Sequence, residues 1–294
     1  MANLKDIQRK IKSVSGTQKT TRAMKLVSTA KLRRAEELAK KSSLYATKLN
    51  EVLGKIAGSL ESASEDSVES LYFKQADEVK NVAVVFVTAD KGLCGAFNHA
   101  TIKTVSKLIR DYESKGAKVT LHGVGKKGVE FFKYNKREME NTSTSLSSAP
   151  DYEKSTNFIS PVVDSFVNGE VDKVYLIHNG YKNMITQEMK INQLLPVDVQ
   201  KIEKSKDDST LEIEAYNEEL VLEALLKKYV EYNMYYSLID SLAAEHSARM
   251  QAMDAATNNA KEMVKNLKVQ FNKARQEAIT TELIEIISGV ESMK

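Results

Sequence analysis

The clearest candidate for a chemical site is Gly123-Val-Gly125-Lys-Lys-Gly128, which matches the pattern G-x-G-x-x-G. After a strand and before a helix, such glycines let the backbone approach a dinucleotide pyrophosphate. Here the preceding strand is the second of its region, and Glu138 and Glu140 fall in a stretch with little predicted structure. We therefore favour a tight strand-to-helix turn. A dinucleotide-binding Rossmann-type protein with a helical appendage remains the alternative.

A second glycine loop, Gly92-Leu-Cys-Gly95, follows the first predicted strand. It could hold a phosphate at a helix N-terminus. The sequence contains no Walker pattern, and we favour a turn that brings the next helix onto the sheet.

The remaining reactive side chains predict no catalytic or metal site. The four histidines have no metal-ligand partner three or four residues further on: His99, His122, His178 and His246. The single cysteine, Cys94, has no neighbouring base and excludes both a disulfide framework and a cysteine-based metal cluster. We expect no catalytic residue, no metal and no cofactor in this chain.

The middle of the chain, residues 81–200, predicts an open, Rossmann-like α/β domain, because strands and helices alternate. The predicted strands are Asn81–Asp90, Lys118–His122, Val171–His178 and Ile185–Leu195. The predicted helices are His99–Ser114, a short helix near Tyr134, and Phe158–Val167, and residues 141–157 are expected to form a surface loop.

The last third of the chain predicts one very long helix. The chain has 3 prolines and 12 glycines, and none of them lies in residues 197–288. This excludes an all-β fold there, since such folds need frequent turns. From Leu222 to Ala278, steps of three and four residues follow an apolar stripe that lacks an apolar body only at His246 and Thr257. Such a stripe indicates a coiled coil.

The partner for this stripe is the N-terminal segment, residues 1–60, whose own apolar stripe starts at Leu4, shifts to Val27, and resumes at Leu38 and Tyr45 to end at Leu60. A helix over residues 217–288 is roughly 108 Å long at about 1.5 Å per residue, more than a compact globule of this size can contain. We expect the two terminal helices to form an antiparallel coiled coil. Residues 61–80 are predicted as a linker, and residues 201–216 as the connection to the C-terminal helix segment, residues 217–294.

Charge is distributed unevenly along the chain. The net charge is +3, but residues 1–41 hold 12 Lys and Arg against 3 Asp and Glu. A basic segment of this kind predicts an acidic partner, which could be a nucleic acid, a lipid or a protein. Near the other terminus, Leu283–Val290 is strongly apolar. An exposed apolar helix end aggregates unless a partner covers it, so insertion into another protein is expected.

Three segments resemble the gamma subunit family of F-type ATP synthases in its bacterial form. The first includes Thr21-Arg-Ala-Met24-Lys-Leu-Val27, and the second is Thr88–Asn98 with its glycine loop. The third includes Asn272-Lys-Ala-Arg275-Gln276 and the segment from Ile279 to Gly289. The family usually has alanine after that glycine, where this chain has Val290. The chain has no cysteine-bearing insertion like that of the chloroplast relatives.

The resemblance implies a non-catalytic rotor shaft, turned by a membrane c-ring inside a ring of three alpha and three beta subunits. It also implies binding of the epsilon subunit, no nucleic acid partner, and a peripheral position on the cytoplasmic face of the bacterial plasma membrane. The residues implied to contact beta are Met24, Lys25, Arg33, Arg34, Arg275 and Gln276. The tip facing the bearing is implied to include Ile279, Glu282, Ile286 and Val290.

Overall fold

A computed structural model describes residues 4–63, 72–73, 76, 78–197 and 218–293. The helices described there are α1 (Leu4–Ala63), α2 (Phe97–Glu113), α3 (Lys126–Tyr134), α4 (Tyr152–Val167) and α5 (Glu218–Glu291). The strands are β1 (Asn81–Val87), β2 (Lys118–Val124), β3 (Asn141–Ser143), β4 (Lys173–Tyr181) and β5 (Gln187–Leu195). Long terminal helices and a central sheet confirm the predicted fold class. Most of the predicted linker 61–80 and all of the connection 201–216 lie outside the described residues.

The sheet has the strand order β3-β2-β1-β4-β5. Strands β1 to β4 run parallel, and β5 pairs antiparallel with β4 as a hairpin. Strand β1 lies at the centre because its residues from Val82 to Val87 are apolar and fully buried on both faces.

Alternate residues of β1 belong to two separate cores. On one face, Val85 packs with helix α4 and with apolar residues of both long helices, including Leu53 and Leu226. On the other face, Phe86 packs with α2 and with Phe132 of α3. Side chains alternate across a strand, so one apolar run supplies both layers.

The chain divides into two compact units, residues 1–28 with 249–294, and residues 29–248. In the first unit, the Thr257 hydroxyl donates to Thr21 Oγ1 at 2.8 Å, and Lys25 Nζ contacts Asp254 Oδ1 at 2.6 Å. From Thr21 to Lys25 the residue number rises along α1, while that of the paired residue on α5 falls from 257 to 254. The two helices are therefore antiparallel in this unit.

The predicted apolar stripe of α5 follows its packed face. The stripe positions from Leu222 to Ala274 are buried or half-buried, and Ala278 is the first exposed one. The pairs Thr21–Thr257 and Lys25–Asp254 set a register that places Leu4, where α1 begins, level with residues near 274. The described part of α1 is thus too short to cover α5 beyond that level.

The stripe predicted for α1 was partly wrong. Val27, Leu38 and Tyr45 are exposed, whereas Leu32 and Ser42 are buried. Ser42 fits because its backbone carbonyl accepts a hydrogen bond from the Tyr232 hydroxyl at 2.8 Å. The packed face of α1 thus includes a residue that an apolar pattern does not mark, because its contact with α5 is a hydrogen bond to the backbone.

The prediction of a surface loop over residues 141–157 was also wrong. Residues Asn141–Ser143 form β3 beside β2, and α4 begins at Tyr152, six residues earlier than predicted. Asp151 caps that helix, because its side chain accepts the Lys154 amide hydrogen.

Candidate functional site

The three glycines of the G-x-G-x-x-G pattern serve close packing of α3 against β1. A Cβ atom at Gly125 would lie 1.9 Å from the Thr88 carbonyl oxygen, and Gly125 has a φ of +94°. At Gly128 a Cβ would lie 2.6 Å from Phe86 Cε2, and at Gly123 it would lie 2.7 Å from Phe86 Cζ. The pattern is thus explained by contacts within the chain.

The first amide groups of α3, which would hold a phosphate, are already hydrogen-bonded. The Lys126 amide donates to Asp90 Oδ1 at 3.0 Å, the Lys127 amide to the Ala89 carbonyl at 3.1 Å, and the Gly128 amide to Thr88 Oγ1 at 2.9 Å. A carboxylate therefore occupies the place that a pyrophosphate takes in dinucleotide-binding proteins.

Asp90 is suited to this role. Burial would raise the pKa of its carboxyl group, but hydrogen bonds from the Lys126 and Ser145 amides outweigh burial and hold the pKa below its ordinary value. A negative charge at the N-terminus of α3 also interacts favourably with the helix dipole. This arrangement does not favour a dinucleotide as the ligand.

The second glycine loop closes on itself and on α5. Asn98 accepts the Ala89 amide hydrogen at 2.8 Å and donates to Cys94 Sγ at 3.2 Å. Cys94 is buried and packs with Ala244 and Ala248 of α5. The loop therefore forms a turn that fixes α2 and receives α5, as the sequence favoured.

Two of the buried histidines, His122 and His178, have pKa values below the ordinary one, which favours the neutral form. Burial lowers the pKa of His122, although Glu140, 3.6 Å from its Nε2, partly opposes this shift. Burial likewise lowers the pKa of His178, whose Nε2 lies 3.1 Å from Asp240 Oδ2. Within the described ranges, no group of three or more His, Cys, Asp or Glu side chains is arranged to hold a metal ion.

Most of the residues implied to contact beta are exposed, and the others are half-buried. In the first unit, Met24 and Lys25 are half-buried, while Arg275 and Gln276 are exposed. In the second unit, Arg33 and Arg34 are exposed. Lys25 also forms the ion pair with Asp254, so part of its charge is used within the chain. The role of these six residues stays a prediction.

The implied tip forms an exposed apolar surface on α5. Ile279, Ile286 and Val290 are 50%, 57% and 58% exposed, and Glu282 is exposed between them. Leu283, Ile284 and Ile287 add further exposed apolar area. A free surface of this size is unfavourable in water and indicates a partner.

Sequence reasoning missed a buried polar cluster around Asp240, which lies between the β4–β5 hairpin and α5. One signal in the sequence could have indicated it. Asp240, an acidic residue, directly follows the apolar stripe residue Ile239 in the part of the helix that is packed. Its partners, His178 and Lys190, are 62 and 50 residues away in sequence. Periodicity does not reveal such distant pairs.

No helix in the part of the chain that the structure describes has an apolar stretch long enough to cross a bilayer.

The comparisons with known proteins agree along the whole chain. The ATP synthase family model matches residues 3–293. The chain is 62% identical to the ATP synthase gamma chain of Sulfurimonas denitrificans over 295 residues, covering 100% of each chain. It is 58% identical to the ATP synthase gamma chain of Campylobacter jejuni over 296 residues, again covering 100% of both.

Solved structures show the same fold. A chain from the central stalk and c-ring of the Tetrahymena thermophila mitochondrial ATP synthase matches with a TM-score of 0.62 at 23% identity, covering 81% of this chain and 99% of that one. A chain from the rotor of the Euglena gracilis enzyme matches with a TM-score of 0.65 at 18% identity, covering 94% and 98%. At these identities the likeness supports the fold alone.

Proposed function

Since the chain belongs to the ATP synthase gamma chain family, we propose that it is the central rotor shaft of a proton-translocating F-type ATP synthase. The full-length match to curated gamma chains carries this proposal. Rotation of the c-ring turns the shaft, and the shaft forces the nucleotide sites of the surrounding ring through different affinities. The chain acts by making different contacts in different states, as coupling requires.

The partners we propose are the alpha and beta subunits, the epsilon subunit and the membrane c-ring. The exposed apolar surface from Ile279 to Val290 supports insertion into a protein bearing. The basic segment over residues 1–41 supports an acidic protein surface, and we propose no nucleic acid as a partner. The chain would then be peripheral, on the cytoplasmic face of the bacterial plasma membrane.

We propose no catalytic residue in this chain. The α3 amides that could hold a phosphate are bonded to Asp90, Ala89 and Thr88. The chain would contribute to ATP synthesis by changing, in sequence, the nucleotide affinities of catalytic sites that belong to other subunits.

The deciding experiment is affinity purification of the tagged full chain from its own membranes, followed by mass spectrometry. We expect the alpha, beta, epsilon and c subunits to be recovered with it. A stable monomer without these partners would overturn the proposal.

The proposed beta contacts are tested by substituting Arg275 and Gln276 together with alanine. A matched control is Lys268→Ala, another exposed position on α5. We expect the assembled complex to lose ATPase activity with the first change and to keep it with the second. Equal activities would remove both residues from the proposed contact.

A further inference from the structure

The β4–β5 hairpin contains a charged cluster that is buried against α5. Asp240 of α5 is 3% exposed. Its Oδ2 accepts a hydrogen bond from Lys190 Nζ at 2.6 Å and lies 3.1 Å from His178 Nε2, and its Oδ1 accepts the Tyr181 amide hydrogen at 3.0 Å. One carboxylate thus binds three groups of the hairpin at once.

The charges in this cluster are well defined. Burial would raise the pKa of Asp240, but the bonds from His178 and Lys190 outweigh it and keep the pKa below its ordinary value. His178 is neutral, because burial lowers its pKa. Its Nδ1 has no hydrogen-bond partner among the described residues, so we place the proton on Nε2, which donates a hydrogen bond to Asp240. The result is an ionised carboxylate with charge-assisted bonds.

The hairpin is shaped to reach this carboxylate. A Cβ atom at Gly180 would lie 2.6 Å from Asp240 Oδ2 and 2.6 Å from Lys190 Cε. Glycine at this position therefore allows the strand to approach α5 closely enough for the Lys190 and Tyr181 bonds to form.

The same hairpin is also bonded to α1. The Tyr181 hydroxyl donates to Glu36 of α1, while the Tyr181 amide is held by Asp240 of α5. Further along α5, Ser247 accepts from Gln187 at 2.8 Å and donates to the Met184 carbonyl at 2.9 Å. Both long helices are therefore attached by directional bonds to one hairpin.

Directional bonds matter because part of this contact is apolar, as where Ala244 and Ala248 pack with Cys94. Apolar packing is non-directional and roughly proportional to buried area, so it resists separation better than a small displacement along the surface. A charge-assisted hydrogen bond fixes distance and angle. A sheet domain that drives a helix under load would need such bonds to prevent slip.

We propose that Asp240 and its partners form a hairpin clamp, which fixes both long helices to the sheet domain and transmits torque from that domain to the helices. The partners are His178, Lys190, Tyr181 and Glu36. This inference rests on the rotor function proposed above. Asp240 is a positioning residue: it binds no substrate, and it acts by keeping the long helices from slipping against the hairpin.

The test uses the assembled complex carrying Asp240→Asn, which preserves shape but removes the charge. The ring is fixed to a surface, and a bead is attached through Lys107→Cys, an exposed position on α2, while the chain's own Cys94 is buried. Thermal fluctuation of the bead in the stalled complex measures torsional stiffness. We expect stiffness to fall below that of the unaltered complex, because the bonds from Lys190 and His178 to a neutral amide are weaker than their charge-assisted bonds to the carboxylate.

The matched control is Asp111→Asn, the same chemical change at an exposed position on α2. Stiffness and unloaded ATP hydrolysis should both match the unaltered complex. In Asp240→Asn, unloaded hydrolysis should persist while ATP-driven proton pumping declines. A merely structural role would lower both activities together through loss of complex.

Equal stiffness in the Asp240→Asn and Asp111→Asn complexes would overturn the clamp. Where Asp240→Asn does not assemble, Tyr181→Phe decides, because it removes only the hydroxyl bonded to Glu36. Reduced stiffness in that variant supports the clamp, and unchanged stiffness overturns it. Failure of the unaltered chain to join any ring would instead overturn the rotor function.

Discussion

Gly125 gives the sharpest test of whether the G-x-G-x-x-G pattern serves packing or a ligand. Alanine at this position would place its Cβ 1.9 Å from the Thr88 carbonyl oxygen, in a backbone conformation with φ of +94°. The oxygen belongs to the backbone directly after β1, so it has little freedom to move aside. Gly125→Ala should therefore destabilise the β2–α3 junction.

The expected cost combines two separate terms. Strain in a glycine-only conformation costs about 1–3 kcal/mol. Overpacking a filled site costs about 1–3 kcal/mol more. The combined loss of about 2–6 kcal/mol is large against a typical domain stability of about 5–15 kcal/mol.

Two other glycines separate these terms. Gly169 has a φ of +76° with no atom within 4 Å of the added Cβ, so Gly169→Ala should show strain alone, at about 1–2 kcal/mol. Gly92 has no positive φ, and no atom lies within 4 Å of a Cβ added there, so Gly92→Ala should be neutral or stabilising by about 0.4–1 kcal/mol. The three substitutions add the same methyl group in three different environments.

Hydrogen exchange by mass spectrometry on the full chain measures the effect where it occurs. Exchange of the Lys126, Lys127 and Gly128 amides should accelerate in Gly125→Ala by about 30-fold or more, since about 1.4 kcal/mol corresponds to tenfold. Gly92→Ala should leave these amides unchanged. Equal protection of these amides from exchange in Gly125→Ala and Gly92→Ala would refute the packing explanation. The glycine pattern would then be better explained by ligand binding.

Three further predictions concern packing, charge and pH. Ala260→Phe should destabilise the chain by about 1–3 kcal/mol in thermal unfolding, because Ala260 is buried, whereas Ala255→Phe at an exposed position should cost under about 0.5 kcal/mol. Lys25→Met should lower stability by under about 1 kcal/mol, because both ends of the Lys25–Asp254 pair are partly exposed; a larger loss measured by urea unfolding would contradict this. His178 has a folded-state pKa below its ordinary value of 6.5, so its contribution is complete above about pH 6.5 and is lost as the pH falls toward the folded-state pKa; His178→Gln should flatten the decline in stability between pH 7 and pH 5, and an unchanged decline would exclude His178 as its source.

Periodicity was sufficient to predict the long C-terminal helix and its packed face. The stripe from Leu222 to Ala274 is buried or half-buried because every step except His246 keeps an apolar or small residue on one side of the helix. On α1 the same reasoning failed at Val27 and Tyr45, which are exposed. There the packed face includes Ser42, whose fit depends on Tyr232, a residue 190 positions away.

The candidate site was less accessible to sequence reasoning than the fold. The glycine pattern suggested a phosphate cradle because local sequence reports the turn but not what fills it. Asp90 fills it from 36 residues earlier in the chain. The acidic residue Asp240 could be noticed on the packed helix, but its partners could not be predicted, because His178 and Lys190 approach from separate strands. Polar contacts between distant residues depend on the folded geometry, which periodicity does not encode.

The sheet also shows why a fold that often binds ligands has a different use here. Ligands of open α/β sheets bind beyond the carboxyl ends of the strands, at the point where the strand order reverses. In this sheet the order reverses between β1 and β4. That position holds Ala89, Cys94 and Tyr181, and these residues pack with Ala244 and Ala248 of α5. The chain's own helix thus takes the ligand's place, and the small size of the two alanines permits its close approach. Because Asp240 lies one helical turn before Ala244, the charged bonds of the clamp lie directly beside this apolar contact. The crevice that would hold a small molecule instead holds a helix, which is what a domain needs in order to turn a shaft.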